Sequence, residues 1–524
     1  MDDSERVSVQ TSASSAHNEK INSPGSEVAE ADSRYTEVLR RHGRIDLVPM
    51  PSDSPVDPLN WPMWRKNLVL ALVAFHAMMV PFSGGVLVPA FEDLAEVFNV
   101  PLSEVPYISS VQILLMGIAP IFWAPLTERI GRRPVYLISS LVSAAFALGS
   151  AFAQTWSTLM VMRVFQMLFT SPALTIGASS VQETTFSFER GRKMGVWVVM
   201  VTCGPQVGGL VAGYMIQNKG WRTPLYLLAA VYLFLFFAHF FLVPETFFPD
   251  RTEPGAPYDE KEVSRRGGWH WLLDFRRYSQ RPYHISEFCH FLVMFGRPVV
   301  LLATAAHTLV FTYTAVLMPV FIPQLFGVKF HLTPGTTGLQ FIGLLIGALL
   351  GEFIAGPGSD AFVNWRARRR RTATGAVVNE KQELRTAIWP EDRLVLATPG
   401  FLLAIVGLII WGVQLQNAQI GHWNVTPLVG GAIAMFGAQF ANTMCVTYAL
   451  ESYRAETADV SVFISFVRQV YGFIAPFYLS VAYTDLGDQR ASGLFAGIVA
   501  VGMFFSLSLI VWGPRWRKPT KETS

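Results

Sequence analysis

Charge is scarce in this chain. Of 524 residues only 15% are Asp, Glu, Lys or Arg, against roughly 25% in soluble domains. A soluble chain of this length would divide into about three or four domains with charged surfaces, and there is too little charge to cover them. A net charge of +3 leaves no basic footprint for nucleic acid. Cysteine is scarcer still. Cys203, Cys289 and Cys445 are scattered, with no CxxC pair and no His at ligand spacing, so neither a disulfide framework nor a metal site follows. Enzyme signatures are missing too. Without a Walker A loop, ATP hydrolysis is not the energy source, and without GxSxG or HExxH there is no sign of covalent catalysis. No enzyme activity and no cofactor are expected.

What is present is apolar. Hydrophobic residues make up 51% of the chain and the mean hydropathy is +0.35. At roughly 20 apolar residues per membrane span, half the chain makes about a dozen spans. Twelve runs fit: 67–91, 104–126, 135–153, 158–182, 194–216, 223–243, 298–322, 335–357, 394–413, 424–450, 459–483 and 491–513. Their backbone polar groups must be satisfied within each run, which dictates helices, and the runs are too long and too uniformly apolar for barrel strands. Residues 1–60 are polar, rich in Ser and Glu, lack the apolar core of a signal peptide, and read as a disordered tail.

Basic residues orient the spans. With the N-terminus in the cytoplasm, that side carries Arg65, Lys66, Arg129, Arg132, Arg133, Arg190, Arg192, Lys193, Arg366, Arg368–Arg371, Arg515, Arg517 and Lys518. The other side holds few, Lys219, Arg222, Lys329 and Arg490 being the exceptions. Both termini are therefore expected in the cytoplasm. The loops split the chain into an N-terminal six-helix half (61–243), a cytoplasmic linker (244–297), a C-terminal half (298–513) with a basic cytoplasmic insertion (361–393), and a tail (514–524). Trp269–Arg277 within the linker suits a helix lying at the membrane interface, or an ordinary linker with aromatic anchors.

The halves share a loop pattern. Ala124-Pro125-Leu126-Thr127-Glu128-Arg129-Ile130-Gly131-Arg132-Arg133 follows span two, and Gly356-Pro357-Gly358-Ser359-Asp360, then Arg366 and Arg368–Arg371, follows span eight. Each has a small residue, proline, a hydroxyl, an acid and then bases, as in a duplicated transporter with parallel halves. The fold class expected is an all-α membrane protein of twelve transmembrane helices in two pseudo-symmetric six-helix halves.

These motifs carry a resemblance. The first loop resembles the G-x-L-x-D-R-x-G-R-R signature of the major facilitator superfamily, with Ala124 and Glu128 in the Gly and Asp places. Arg163-Val164-Phe165-Gln166 is similar to R-x-x-Q-G, with Met167 for the Gly, and Gly204-Pro205-Gln206-Val207-Gly208-Gly209 to the antiporter G-P-x-x-G-G. Asp57–Pro62, Pro244-Glu245-Thr246 and Pro390–Leu394 resemble segments of fungal twelve-span drug:proton antiporters, the likeness covering about residues 55–515. The resemblance implies that Glu128, Arg129, Gly131, Arg132, Arg133 and, in the repeat, Asp360 form a conformational latch. The alternative is that the bases only set topology. It further implies that Arg163 couples proton movement to substrate, and that Gly204, Pro205, Gly208 and Gly209 form a kink that seals against proton leak, where packing alone is the alternative.

The residues add their own reading. Arg163 lies inside a span with no acid on its own helix within one turn, so its partner must come from another span, a carbonyl or a substrate; a snorkelling interfacial Arg is the alternative. Span one has no acid, and the proton-carrier candidates are Glu183, Glu352, Glu451, Asp459, His76 and His307. Glu352 is the first choice because it lies within a span, and Arg468, a second cation inside a span, is expected to pair with Glu352 or Glu451. Gln166, Phe311, Tyr313, Phe341, Phe440, Tyr448 and Tyr471 are candidate cavity walls, suited to apolar or cationic organic molecules. The expected function is proton-coupled export of small organic molecules by a monomer in the plasma membrane, with protons, a small-molecule substrate and the bilayer as its only partners. Proton-symport uptake of an organic cation, polyamine or other nutrient and a transport-inactive membrane sensor stay open.

Overall fold

In the computed structural model the described residues are 39–40, 43, 47–52, 54–248, 288–374 and 389–517. Among these residues twelve helical spans are long and apolar enough to cross a membrane: Met63–Phe98, Tyr107–Ile130, Arg132–Ala151, Trp156–Glu183, Ser187–Lys219, Thr223–Leu242, Pro298–Phe330, Pro334–Arg370, Glu391–Asn417, Thr426–Ser452, Thr457–Leu486 and Asp488–Trp516. They are numbered one to twelve below. The first six and the last six each pack into a bundle, and the bundles meet along spans two and eleven and along spans five and eight.

Lipid offers no hydrophobic drive for helices to associate, so close packing of small residues carries much of the association. A Cβ added at Gly400 of span nine would lie 2.8 Å from the Ala441 nitrogen of span ten. The duplication shows in the corners. Gly220, between spans five and six, has φ 82° and ψ 169°, and Gly487, between spans eleven and twelve, has φ 79° and ψ 166°. A side chain at either would be strained.

Several elements depart from the run-by-run expectation. Span four is two helices, Trp156–Thr170 and Pro172–Glu183, separated at Ser171. Pro172 occupies the first turn of the second piece, where its missing N–H costs nothing. Span seven contains wide turns at Thr312–Val316 and Pro323–Gly327, and such turns mark functional positions in helices. The expected insertion 361–393 is not wholly a loop: the helix of span eight runs on as Phe341–Thr374, because Arg366 and Arg370, one turn apart, both pair with Asp392 at 3.0 and 2.6 Å. The tail is also shorter than the sequence suggests. Leu47 and Leu59 are buried with Phe186, and Asp57 accepts hydrogen bonds from Ser52 N and Leu59 N at 2.9 Å each. The segment Trp269–Arg277 lies outside the described residues.

Candidate functional site

The interior of the first half is organised by Arg163. It is 2% exposed, and its guanidinium donates to Ser83 Oγ at 3.1 Å, Gln166 Oε1 at 2.5 Å and Gln112 Oε1 at 2.9 Å, and also to the Ser83 carbonyl. The partners come from spans one, two and four, and all are neutral. Gln166 is fully buried here and holds Arg163 rather than lining a cavity, which corrects the expectation for that residue. Burial also excludes the snorkelling alternative for Arg163.

In the second half Glu352 of span eight is half-buried. Its carboxylate accepts from Gln439 Nε2 of span ten at 3.1 Å, and the same amide nitrogen donates to Thr202 Oγ1 of span five at 3.1 Å. One amide thus ties the carboxylate to the opposite half. The other candidate carboxylates are committed elsewhere. Glu183 accepts from Arg132 at 3.1 Å, Glu451 from Arg393 at 2.8 Å, and Asp459 lies 2.8 Å from His290. Arg468 pairs with neither Glu352 nor Glu451, contrary to expectation, since those acids are held on spans eight and ten; its guanidinium lies 4.6 Å over the Phe311 ring.

The aromatic residues separate. Tyr313 is buried, with its hydroxyl 2.9 Å from that of Tyr471 and 2.8 Å from that of Tyr478. Phe311 and Phe440 keep partial exposure inside the bundle. Phe341 and Tyr448 are corrections: neither lines open space. Phe341 is fully buried against span five, where a Cβ on Gly209 would lie 2.8 Å from its ring, and the Tyr448 hydroxyl packs 2.6 Å from a Cβ on Gly513 of span twelve. A groove of about 530 Å³ between spans eleven and twelve is lined by outward-facing residues such as Val481 and Leu494 and holds none of the interior charges.

The antiporter-like glycines are used for close approach. A Cβ on Gly204 would lie 2.8 Å from the Met78 carbonyl and one on Gly208 2.6 Å from the Phe82 carbonyl, both on span one. The helix Ser187–Lys219 runs unbroken through Pro205, so the expected kink is not a break in the helix.

At the arginine-rich end the latch residues are arranged differently from expectation. Glu128 is exposed and the arginines use other acids. Arg132 N and Arg133 N each donate to the Glu245 carboxylate at 3.0 Å, so Glu245 caps span three, placing negative charge at the helix N-terminus. Arg132 also donates to Thr127 Oγ1 at 2.6 Å, and Thr246 Oγ1 donates to Glu183 at 3.0 Å. Gly131 turns the chain between spans two and three at φ 98°, a conformation that favours glycine. Arg129 is buried. The second half repeats the plan. Arg393, at the start of span nine, holds Glu451 at the end of span ten and reaches Asp360 at 3.1 Å. Sequence reasoning assigned no role to Ser83, Gln112, Thr202, Gln439 or Arg393. The visible signal for one of them, Arg393, was Pro390-Glu391-Asp392-Arg393, and Pro244-Glu245-Thr246 likewise held the missed Glu245; both are segments of resemblance whose acids and base prove to be partners of the span ends.

The halves close at the opposite end. Tyr107 stacks on Phe477 at 4.4 Å, Gln324 donates to the Leu102 carbonyl at 3.1 Å, and a Cβ on Gly213 would lie 2.6 Å from the Pro334 carbonyl. Near the arginine-rich end of the same two spans, five and eight, Gly195 and Gly356 have nothing within 4 Å of a built Cβ.

Two six-helix bundles with charged side chains in their interiors, meeting at one end, define a twelve-span membrane carrier. The chain belongs to the Major Facilitator Superfamily, to which residues 73–476 match, and it is a multi-pass membrane transporter rather than an enzyme. It is 27% identical over 473 residues to the MFS-type transporter penM of Penicillium rubens, covering 90% of this chain and 89% of that one. It is 26% identical over 478 residues to the efflux pump vrtL of Penicillium aethiopicum, covering 90% of each. Among solved structures, a partially occluded inward-open form of the xylose transporter XylE from E. coli superposes with a TM-score of 0.58 at 11% identity, over 84% of this chain and 99% of that one.

Proposed function

We propose that the protein exports small organic molecules across the plasma membrane in exchange for protons, with the arginine-rich end and both termini in the cytoplasm. The observation that carries this reading is the Gln439 amide, which donates at 3.1 Å both to Glu352 and, across the halves, to Thr202. A carboxylate inside the bundle without a cation partner is a site where a proton can bind and leave. Hydrogen bonds to an ionised acceptor are roughly twice as strong as neutral ones. Protonating Glu352 therefore weakens its hold on Gln439 and frees the amide to change its contact with the other half. The end opposite the arginines is closed, so with the basic end inside the bundle opens to the cytoplasm, from which an exported substrate must enter. Exposed Glu128 is then the free half of a latch that engages when that end closes, while the Arg132–Glu183 and Arg393–Glu451 pairs brace each half internally. Direction rests on the efflux activity named for vrtL and on the antiporter-like segment of span five.

The test is accumulation of a panel of fluorescent organic molecules in cells lacking or overproducing the protein. Export predicts that overproduction lowers accumulation and deletion raises it. Lower accumulation in the deletion strain would replace export with uptake.

A further inference from the structure

Arg468 stands apart from every other charge in the bundle interior. It lies about eleven residues into span eleven, roughly 16 Å from the arginine-rich end at about 1.5 Å per residue. Among the described residues its only close partner is the Phe311 face, 4.6 Å away. Its Nε is buried without a hydrogen bond, yet the residue as a whole keeps partial exposure, so its outer nitrogens are not sealed in by protein atoms. Its neighbours are neutral. His307 stacks on Phe311 at 6.1 Å and lies beside Asn442. Asn442 Oδ1 is buried.

The contrast with Arg163 is direct. The outer nitrogens of Arg163 are satisfied by the protein's own oxygens from three spans, although its Nε is as unpartnered as that of Arg468. The outer nitrogens of Arg468 are not, and the acids on adjacent spans are held by Gln439 and Arg393. An uncompensated cation at membrane depth is strongly unfavourable and marks a functional position. A planar guanidinium with free outer nitrogens takes a carboxylate or sulfonate by two parallel hydrogen bonds. Aromatic walls alone would suit apolar or cationic molecules, but the free charge beside Phe311 has the opposite preference.

We propose that Arg468 binds the anionic group of an aromatic organic anion, with Phe311 against its apolar body and Asn442 and His307 offering polar contacts beside it. This rests on the transporter reading above and narrows its substrate class. It also has an electrical consequence. Exchange of one entering proton for one leaving monoanion moves two charge equivalents in the same direction, whereas exchange for a monocation moves none.

The full chain in proteoliposomes separates these cases with three probes on one ring system: 2-naphthalenesulfonate, 2-naphthalenesulfonamide and 2-naphthyltrimethylammonium. Binding of the sulfonate at least tenfold tighter than either other probe is expected. Arg468→Gln should lower sulfonate affinity to that of the sulfonamide, Arg468→Lys should retain part of the difference, and thermal melting should confirm that each variant is folded. Equal affinities, tightest binding of the ammonium probe, or an undiminished sulfonate preference in Arg468→Gln would overturn the site. Entrapped pyranine reads the coupling separately. Proton movement evoked by the ammonium or sulfonamide probe alone would keep proton-coupled transport and overturn the anion site. Arg468-dependent sulfonate binding that evokes no proton movement would support the site and overturn proton coupling. No response to any probe, in binding or in proton movement, overturns both.

Discussion

The two halves share a skeleton and differ in their interiors. At the arginine-rich end the plan is common: Arg132 at the start of span three holds Glu183 at the end of span four, and Arg393 at the start of span nine holds Glu451 at the end of span ten. Inside, the first half closes its cation within neutral acceptors, while the second leaves Arg468 unpaired and adds a carboxylate, Glu352. A duplicated frame can keep its struts where mechanical coupling requires them and still acquire different chemistry where protons and substrate bind. The halves also carry different burdens. In the first, buried charge is part of the structure. In the second, Arg468 has no hydrogen-bond or ion-pair partner among the described residues.

The sharpest test of that contrast is the paired replacement of the two interior arginines. Arg163→Ala should reduce transport by roughly 100-fold or more, equivalent to about 2.8 kcal/mol. It should also lower stability by about 1–3 kcal/mol, because the Ser83 carbonyl and the glutamine oxygens lose their donor. The protein should remain folded, which solubilised melting curves check. Arg468→Leu should raise Tm instead, since it removes a charge that nothing in the chain compensates. Equal losses of stability in the two variants would erase the distinction.

A smaller effect is expected where the halves touch. Gly213→Ala places a Cβ 2.6 Å from the Pro334 carbonyl, and Gly338→Ala places one 3.0 Å from the Gly209 carbonyl. Overpacking at such a crossing costs about 1–3 kcal/mol, all of it in the state closed at that end. Spin labels flanking the crossing should report opening in both variants, more in Gly213→Ala. The reverse order would mean that the second half yields more than its backbone contacts imply.

The smallest effects belong to the common struts. Both pairs are partly exposed, with side-chain exposures of 9% and 18% for Arg132–Glu183 and 12% and 21% for Arg393–Glu451, so breaking either costs less than a fully buried pair. Removing the acid should cost about 1–2 kcal/mol. Glu183→Gln should lower Tm more than Glu451→Gln, because Arg393 retains Asp360 and Ser359 whereas Arg132 retains Thr127.

Hydropathy alone located the twelve spans, since a span must be long, apolar and helical whatever its neighbours. Arg163 could be singled out for the same reason, because charge at that depth is conspicuous in one dimension. What periodicity could not supply was pairing between distant segments. Glu245 reaches span three from beyond span six, and Glu352 and Glu451 are held by Gln439 and Arg393 rather than by Arg468. Phe341 and Tyr448 looked like cavity walls because aromatic residues in spans look alike until the glycine facing them is known. The extension of span eight past residue 360 was readable in part, since Arg366 and Arg370 have the spacing of one helical face.

The central claim is that Glu352 carries the coupled proton. Its most direct test is the pH profile of substrate transport by wild-type protein and Glu352→Gln in proteoliposomes. Wild-type transport should respond steeply to an imposed pH gradient, while Glu352→Gln, with a side chain that cannot titrate, should give a flat profile with exchange of substrate for substrate retained. A Glu352→Gln profile that follows the wild-type curve would contradict the claim and place the proton on another group.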